Sequence, residues 1–336
     1  MTSSAGGVVR LRRGGALELG RLGFGAAPLG NMNRALTAEE AASVVEAAWA
    51  SGARYFDTAP LYGHGLSEQR LGDHLRRRER NAFVLSTKVG RLLEPCARGH
   101  ENSGIYVNTP QMRVAFDYTY DGVMRSFEDS LRRLGVPIDI LFVHDLDPVT
   151  HGDAAPAHWR DLMQGGWRAL DELRRAGDVR ALGAGMNECS PCERLLQEAD
   201  PDVVLIAGRL TLLDQSALDA LVPACATRGV AVIVGGVFNS GVLATGSGDG
   251  GRYAYAPASD HIRTRVRELE RICADFDVRL ADAALQFPLR FPGVTTILQG
   301  GQSAAEVTAN AASLSTPIPG SLWEALSAHG VRTKAC

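Results

Sequence analysis

The stretch Ala53–Glu68, ARYFDTAPLYGHGLSE, puts an acid, Asp57, five residues ahead of a tyrosine, Tyr62. Alone, the pair reads equally well as a turn cap and a ring covering a loop. Further along, Lys88 ends the run FVLSTK and His144 ends ILFVH. An acid, a tyrosine, a lysine and a histidine are the groups that proton transfer to or from a carbon-bound hydroxyl requires. A phenol is a poor base at its free pKa of about 10. An ammonium roughly 4 Å from its oxygen contributes about 4 kcal/mol at an effective dielectric near 20, enough to lower that value by at most about 3 units. In this scheme Asp57 keeps Lys88 charged and in place, while His144 hydrogen-bonds the reacting oxygen. The set moves protons only, so an oxidation or reduction built on it needs a separate hydride carrier.

The elements that must position these groups follow a repeat. Strand-like runs Leu22–Gly25, Arg54–Phe56, Phe83–Lys88, Ile138–Val143, Arg180–Gly183, Val203–Ile206, Val230–Val234 and Val294–Leu298 each precede a helical pattern. The first helix starts at Thr37, with Glu40 completing a capping box. Eight strand-then-helix units predict an α/β fold, a closed (β/α)8 TIM barrel in one domain spanning 1–336. An open dinucleotide-binding sheet would carry G-x-G-x-x-G at its first turn, but Pro28 and Glu188 occupy the third glycine position of the two candidates. Val8–Leu19 reads as an N-terminal β-hairpin about Gly14-Gly15, expected to plug one end. Two long irregular segments, Arg91–Tyr118 and Phe238–Ser259, are expected as loops on the C-terminal face, where chemistry sits in such barrels.

Composition narrows the partners. With 336 residues, 45% hydrophobic content, 22% charge and a net charge of −3, the chain has no clustered positive excess for nucleic acid or an anionic membrane. The basic run Arg76–Arg80 reads as a solvated helix end. No signal-peptide core and no stretch of about eighteen apolar residues occurs, so cytoplasm is the expected compartment. Six dispersed cysteines imply reduced thiols, and the lone C-x-x-C at Cys189–Cys192 lacks a second pair for zinc, so no metal is expected.

The texts FDTAPLYGHGLSEQRLG, STKVG, FVHD and GAGMNE, in this order over nearly the whole chain, resemble the aldo-keto reductase family. The resemblance implies a barrel that binds an extended nicotinamide dinucleotide, with Asp57, Tyr62, Lys88 and His144 as catalytic tetrad. It assigns the nicotinamide carboxamide to Asn187, while the family's usual glutamine and stacking aromatic are replaced by Ala207-Gly208 and Gly235-Gly236. The loop of Gly236, Phe238, Ser240 and Gly241 is expected to meet the pyrophosphate through main-chain N–H groups. Gly300, Gln302, Glu306 and Asn310 match the adenosine-binding turn and helix. Glu306 stands four positions before Asn310, where members using NADP place a basic residue; a carboxylate repels a 2′-phosphate and accepts from a ribose diol, so NAD is expected over NADP.

The texts AGRLTLLDQSAL, GGVFNSGVLATG and RYAYAP are similar to members that oxidise L-fucose or D-threo-aldoses at C1, with pyridoxal oxidation close by. A small-molecule substrate is thus implied, with oligomeric state unreadable. Aldehyde reduction, and nucleotide sensing without turnover, remain as alternatives. Tyr106, Phe116, Tyr118, Asp145 and Tyr253 are candidates to line a sugar pocket, and His64 faces either substrate or solvent.

Overall fold

The computed structural model describes residues 7–248 and 251–334, so Asp249 and Gly250 of the glycine-rich segment, and Cys336, lie outside the described residues. Strands β1 (Val8–Arg10) and β2 (Ala16–Glu18) pair antiparallel as the expected hairpin. The repeat then runs β3 (Leu22–Gly25), α1 (Ala38–Ala50), β4 (Tyr55–Asp57), α2 (Leu66–Leu75) and β5 (Val84–Val89). At the start of α1 the Thr37 hydroxyl accepts from the Glu40 N–H and the Glu40 carboxylate accepts from the Thr37 N–H, the capping box read from the sequence.

Next come β6 (Arg91–Pro95), β7 (Met112–Phe116), α3 (Tyr120–Leu134), β8 (Ile140–His144), α4 (Pro148–His151), α5 (Ala155–Asp161) and α6 (Trp167–Ala176). A π-helical turn at Leu162–Gly166 joins α5 to α6. The chain closes with β9 (Ala181–Met186), α7 (Cys189–Glu198), β10 (Val203–Ala207), α8 (Leu221–Arg228), β11 (Ala231–Gly235), α9 (Val242–Thr245), β12 (Arg252–Tyr253), β13 (Ala256–Pro257), α10 (Asp260–Ala274), α11 (Leu280–Gln286), β14 (Val294–Gln299), α12 (Ala304–Ser313) and α13 (Gly320–Ala328).

Strands β3, β4, β5, β8, β9, β10, β11 and β14 form a closed parallel barrel in chain order, β14 returning to pair with β3. Their sequences are near-continuous apolar runs such as ILFVH and VVLIA because both faces are covered, one by the barrel interior and one by helices. Gly183 shows how tightly β9 meets β10: a Cβ there would stand 1.9 Å from the Val203 carbonyl oxygen. The barrel interior is filled by Tyr55, Val84, Ile140, Phe142, Leu205, Ile233 and Leu298, with Val9, Leu17 and Leu19 of the hairpin packed into the same cluster. The hairpin therefore plugs the N-terminal end. Asp202 fastens it there, accepting from the Arg12 N–H at 2.6 Å while also taking Arg174 at 2.8 Å and the Leu182 N–H at 3.0 Å.

Several elements depart from the sequence expectation. The segment Arg91–Tyr118 is not irregular at its ends: β6 and β7 pair antiparallel from Arg91↔Phe116 to Pro95↔Met112. Helix α8 is short, being preceded by a separate 3-10 turn at Ser216–Leu218. Helices α11 and α13 went unread. In α11 Leu280, Ala283, Ala284 and Leu285 are all buried, leaving no polar face to reveal a helical period.

Candidate active site

The site is built where β4, β5, β8 and β9 end, on the barrel face opposite the plug. Asp57 is the last residue of β4, and its carboxylate is held by two neighbours on β5: Ser86 Oγ donates to Oδ1 at 2.7 Å and Lys88 Nζ donates to Oδ2 at 2.6 Å. Lys88 is 1% exposed and also donates to the Thr58 carbonyl at 2.9 Å. Its stem fits because β9 carries Gly185 beside it, where a Cβ would approach Lys88 Cε to 3.2 Å. The Lys88 ammonium lies 4.7 Å from the centroid of the Tyr62 ring, a cation–π distance. Tyr62 is carried by the loop after β4, which Gly63, at φ +63°, lets pass within contact of the Gly30 backbone. The His144 ring, at the end of β8, meets the Tyr62 ring edge-on with centroids 5.9 Å apart. Asp57, Tyr62, Lys88 and His144 thus converge.

Burial sets the protonation of this group. It pushes the Asp57 carboxyl up against the pull of Lys88, and drives His144 well below 6.5, with Arg91 and Lys88 adding in the same direction. His144 is therefore a neutral imidazole. Burial also holds the Tyr62 phenol well above 10, with Asp57, Asp145 and Tyr255 reinforcing it and Arg91 opposing. The expectation that Lys88 lowers Tyr62 into the mildly alkaline range is overturned for this arrangement. Asp57, 2.6 Å from the ammonium, offsets the Lys88 charge, and partial desolvation of the half-buried phenol acts in the same direction.

A cavity of about 350 Å³ opens beside Tyr62, Lys88 and His144. Tyr106 and Asp145, two of the expected pocket residues, line it, together with Asn187, expected at the nicotinamide, and Tyr255 of the glycine-rich loop; Arg91 lines it too and was missed by the sequence reading. Asp145, at φ +39°, accepts from Arg91 Nη2 at 2.7 Å and from Asn187 Nδ2 at 3.1 Å, and its Oδ2 lies 3.3 Å from His144 Nε2. Burial raises its carboxyl to about 6 against the pull of Arg91. Arg91 reaches the cavity because Gly90, at φ +100°, turns the chain out of β5 into β6; a Cβ there would stand 2.1 Å from the Tyr118 ring. Tyr106 arrives on the segment joining β6 to β7, which docks on the chain after β3 through hydrogen bonds of Asn33 to Ile105 and of Val107 to Asn31. Tyr255 projects from the turn between β12 and β13, its N–H bonded to Ser240 Oγ at 2.9 Å.

Four candidate pocket residues do not line the cavity. His64 faces neither substrate nor solvent: it is 2% exposed and its Nδ1 pairs with the Met112 carbonyl at 2.7 Å. Tyr118 is buried behind the site, where its hydroxyl donates to the His144 carbonyl at 2.7 Å and buttresses the end of β8. Phe116 packs edge-on against His151 outside the cavity, and Tyr253 packs against the helix-layer core. Sequence position and aromatic character do not show the direction a ring faces.

The segments expected to hold a dinucleotide lie on the adjoining rim, where β11 and β14 are neighbours. After Gly236, at φ +62°, the residues Asn239, Ser240 and Gly241 all have left-handed backbone, a conformation in which successive N–H groups can converge on an anion. Asn239 and Gly208 tie this loop to the end of β10. At Gly300 a Cβ would meet the Gly25 carbonyl at 2.4 Å, so only glycine brings this turn against β3. Glu306 accepts from the Gln302 N–H at 2.8 Å, Gln302 Nε2 bonds the Met32 carbonyl, and Asn310 Nδ2 donates to Gly300 O at 3.3 Å. Asn187, its Nδ2 spent on Asp145, keeps a carbonyl oxygen to offer an amide. These residues fit a nicotinamide dinucleotide. Among the described residues no group of three or more His, Cys, Asp or Glu side chains could hold a metal, the five described cysteines are free, and no helix is long and apolar enough to cross a membrane.

A plugged parallel barrel with an acid, a lysine, a tyrosine and a histidine gathered at its C-terminal rim defines a barrel oxidoreductase. The chain belongs to the aldo/keto reductase family, whose profile matches residues 21–330. It is 43% identical over 326 residues to pyridoxal 4-dehydrogenase of Microbacterium luteolum, covering 94% of this chain and 95% of the relative. It is 39% identical to D-threo-aldose 1-dehydrogenase of a Pseudomonas species, covering 92% and 94%. Among solved structures, a glycerol dehydrogenase from Gluconobacter oxydans superposes with a TM-score of 0.73 at 19% identity over 96% of this chain and 95% of that one, which bears on the fold alone. The protein is a nicotinamide-dependent oxidoreductase.

Proposed function

We propose that the protein oxidises an aldose of the L-fucose or D-threo-aldose type at C1 to the lactone, with NAD as cofactor. The observation that carries this reading is the cavity wall beside Tyr62 and His144, where the buried Arg91–Asp145 pair offers the polar partners that a polyhydroxylated ring needs. D-threo-aldoses and pyridoxal, the substrates named for the two relatives, share a feature: aldoses close on themselves as cyclic hemiacetals, and pyridoxal can do so through its neighbouring hydroxymethyl group. A second reading, pyridoxal itself, is favoured by the 43% identity.

Asn187 would hold the carboxamide, Gly236–Gly241 the pyrophosphate and Gly300–Asn310 the adenosine, and the cofactor supplies the hydride acceptor. Tyr62 takes the hydroxyl proton in its ionised form, with the Lys88 ammonium set against its ring and Asp57 keeping Lys88 in place. Neutral His144 hydrogen-bonds the reacting oxygen. Burial keeps the Tyr62 phenol protonated at neutral pH, the form that donates in the reverse reduction; oxidation needs its ionised form and therefore speeds up as pH rises. NAD over NADP follows from Glu306, whose charge stands at the adenosine turn, while the cation there, Arg34, is paired with Glu40 at 2.9 Å and with the Gln302 carbonyl at 3.0 Å.

The test is NADH release at alkaline pH over L-fucose, L-galactose, D-arabinose and pyridoxal, with NAD and NADP compared. Turnover of the sugars with NAD is expected. Tight NAD binding with no turnover on the panel would identify a nucleotide sensor instead, and equal or tighter NADP binding would defeat the Glu306 argument.

A further inference from the structure

Arg91 is 8% exposed, yet among the described residues Nη2 is the one side-chain atom of it that makes a hydrogen bond, and Nε is buried without a partner. A buried guanidinium with most of its donors unspent is costly unless something completes its bonding. Its partner Asp145 is the residue next to His144, on the same cavity wall. Lys88 is turned to Asp57, and the wall elsewhere mixes apolar side chains such as Leu61, Ile105 and Leu205 with the neutral polar Asn102, Ser103, Tyr106 and Tyr255, so Arg91 and Asp145 are its other charged groups. A cyclic hemiacetal whose reacting hydroxyl sits between Tyr62 and His144 can place the hydroxyl of the next ring carbon beside His144. The groups that flank His144 there are Asp145 and Arg91.

From this juxtaposition we infer that Arg91 and Asp145 read the hydroxyl on the carbon adjacent to the reacting one: the guanidinium donates to its oxygen and the carboxylate accepts its proton. The substrate class is then a 2-hydroxylated cyclic hemiacetal, and substrates lacking that hydroxyl are discriminated against at this pair. A neutral donor or acceptor could bind the hydroxyl too, but an ion pair left half-bonded by the empty pocket penalises a substrate that cannot complete it. The inference rests on the hemiacetal-oxidising function proposed above.

D-arabinose and 2-deoxy-D-ribose differ only at that hydroxyl, so comparing them in each variant forms a double-mutant cycle between residue and substrate. The wild type is expected to favour D-arabinose by at least ~30-fold in kcat/KM, and Arg91→Met to lower that ratio at least ~10-fold. Arg91→Met strands the Asp145 carboxylate, so Arg91→Lys, which keeps the charge on a single-point donor, and the double variant Arg91→Met/Asp145→Asn, which removes both charges, accompany it. Circular dichroism and NADH fluorescence titration report folding and nucleotide binding for each. A ratio unchanged within ~2-fold in folded variants overturns the inference and leaves the hemiacetal oxidation standing. A wild type that oxidises no hemiacetal on the panel overturns both.

Discussion

At the scale of single residues the site separates groups that sequence type reveals from groups that only geometry reveals. Tyr62→Phe is expected to abolish turnover, by at least ~10³-fold in kcat, with NADH affinity unchanged within ~3-fold in a fluorescence titration, because the ring and its packing stay while the proton carrier goes. A near wild-type kcat would refute the assignment. Asp145 adds a pH signature. Its carboxyl, raised to about 6 by burial, is faced by Arg91, Lys88, Asp147 and the neutral His144; the ionised form accepts from Arg91 and Asn187, so protonation on the way down through about pH 6 releases them. The expected result is kcat/KM for an aldose falling as pH drops below about 6, a limb that Asp145→Asn removes. The tetrad was legible because strand ends in a parallel barrel share one rim. Arg91 was not, although its signal existed: it stands three residues after Lys88, past a glycine that ends the strand. Which of Tyr253 and Tyr255 reaches the cavity was not legible, because the hairpin turn uses Ala254 and Tyr255 at positive φ, where Asn or Gly would have marked it.

At the scale of elements, the eight strand–helix units were readable from apolar runs and caps, while the β6–β7 hairpin was hidden by the loop around it. That hairpin with its loop delivers about a third of the cavity wall, and Gly90 is its hinge. Gly90→Ala adds a methyl that overlaps the Tyr118 ring in a backbone region costing an L-residue ~1–3 kcal/mol. A drop in stability of at least ~2 kcal/mol by urea unfolding is expected, together with a rise in KM for substrate larger than any change in NAD affinity, because the hairpin carries Arg91 but none of the cofactor loops. Equal losses for substrate and cofactor would show that the hairpin does not act on the substrate side alone.

At the scale of the whole molecule, the barrel separates stability from chemistry along its axis. The hairpin plug buries Leu17 at the end remote from Tyr62, so Leu17→Ala is expected to cost ~2–4 kcal/mol of unfolding free energy while kcat stays within ~2-fold below the melting range. A comparable loss of kcat at full folding would mean that the two ends communicate. Besides the strand ends that carry reacting groups, the barrel wall touches the chemistry at a residue with no side chain of its own. Gly185 belongs to a strand, not to a loop, and the space its missing side chain leaves is occupied by the stem of Lys88. A methyl group at that position would press the Lys88 stem aside by a few tenths of an ångström while leaving all four reacting side chains chemically unchanged. The wall thus holds a spacer whose thickness sets the tuning of the proton carrier, a dial that can be turned one carbon atom at a time.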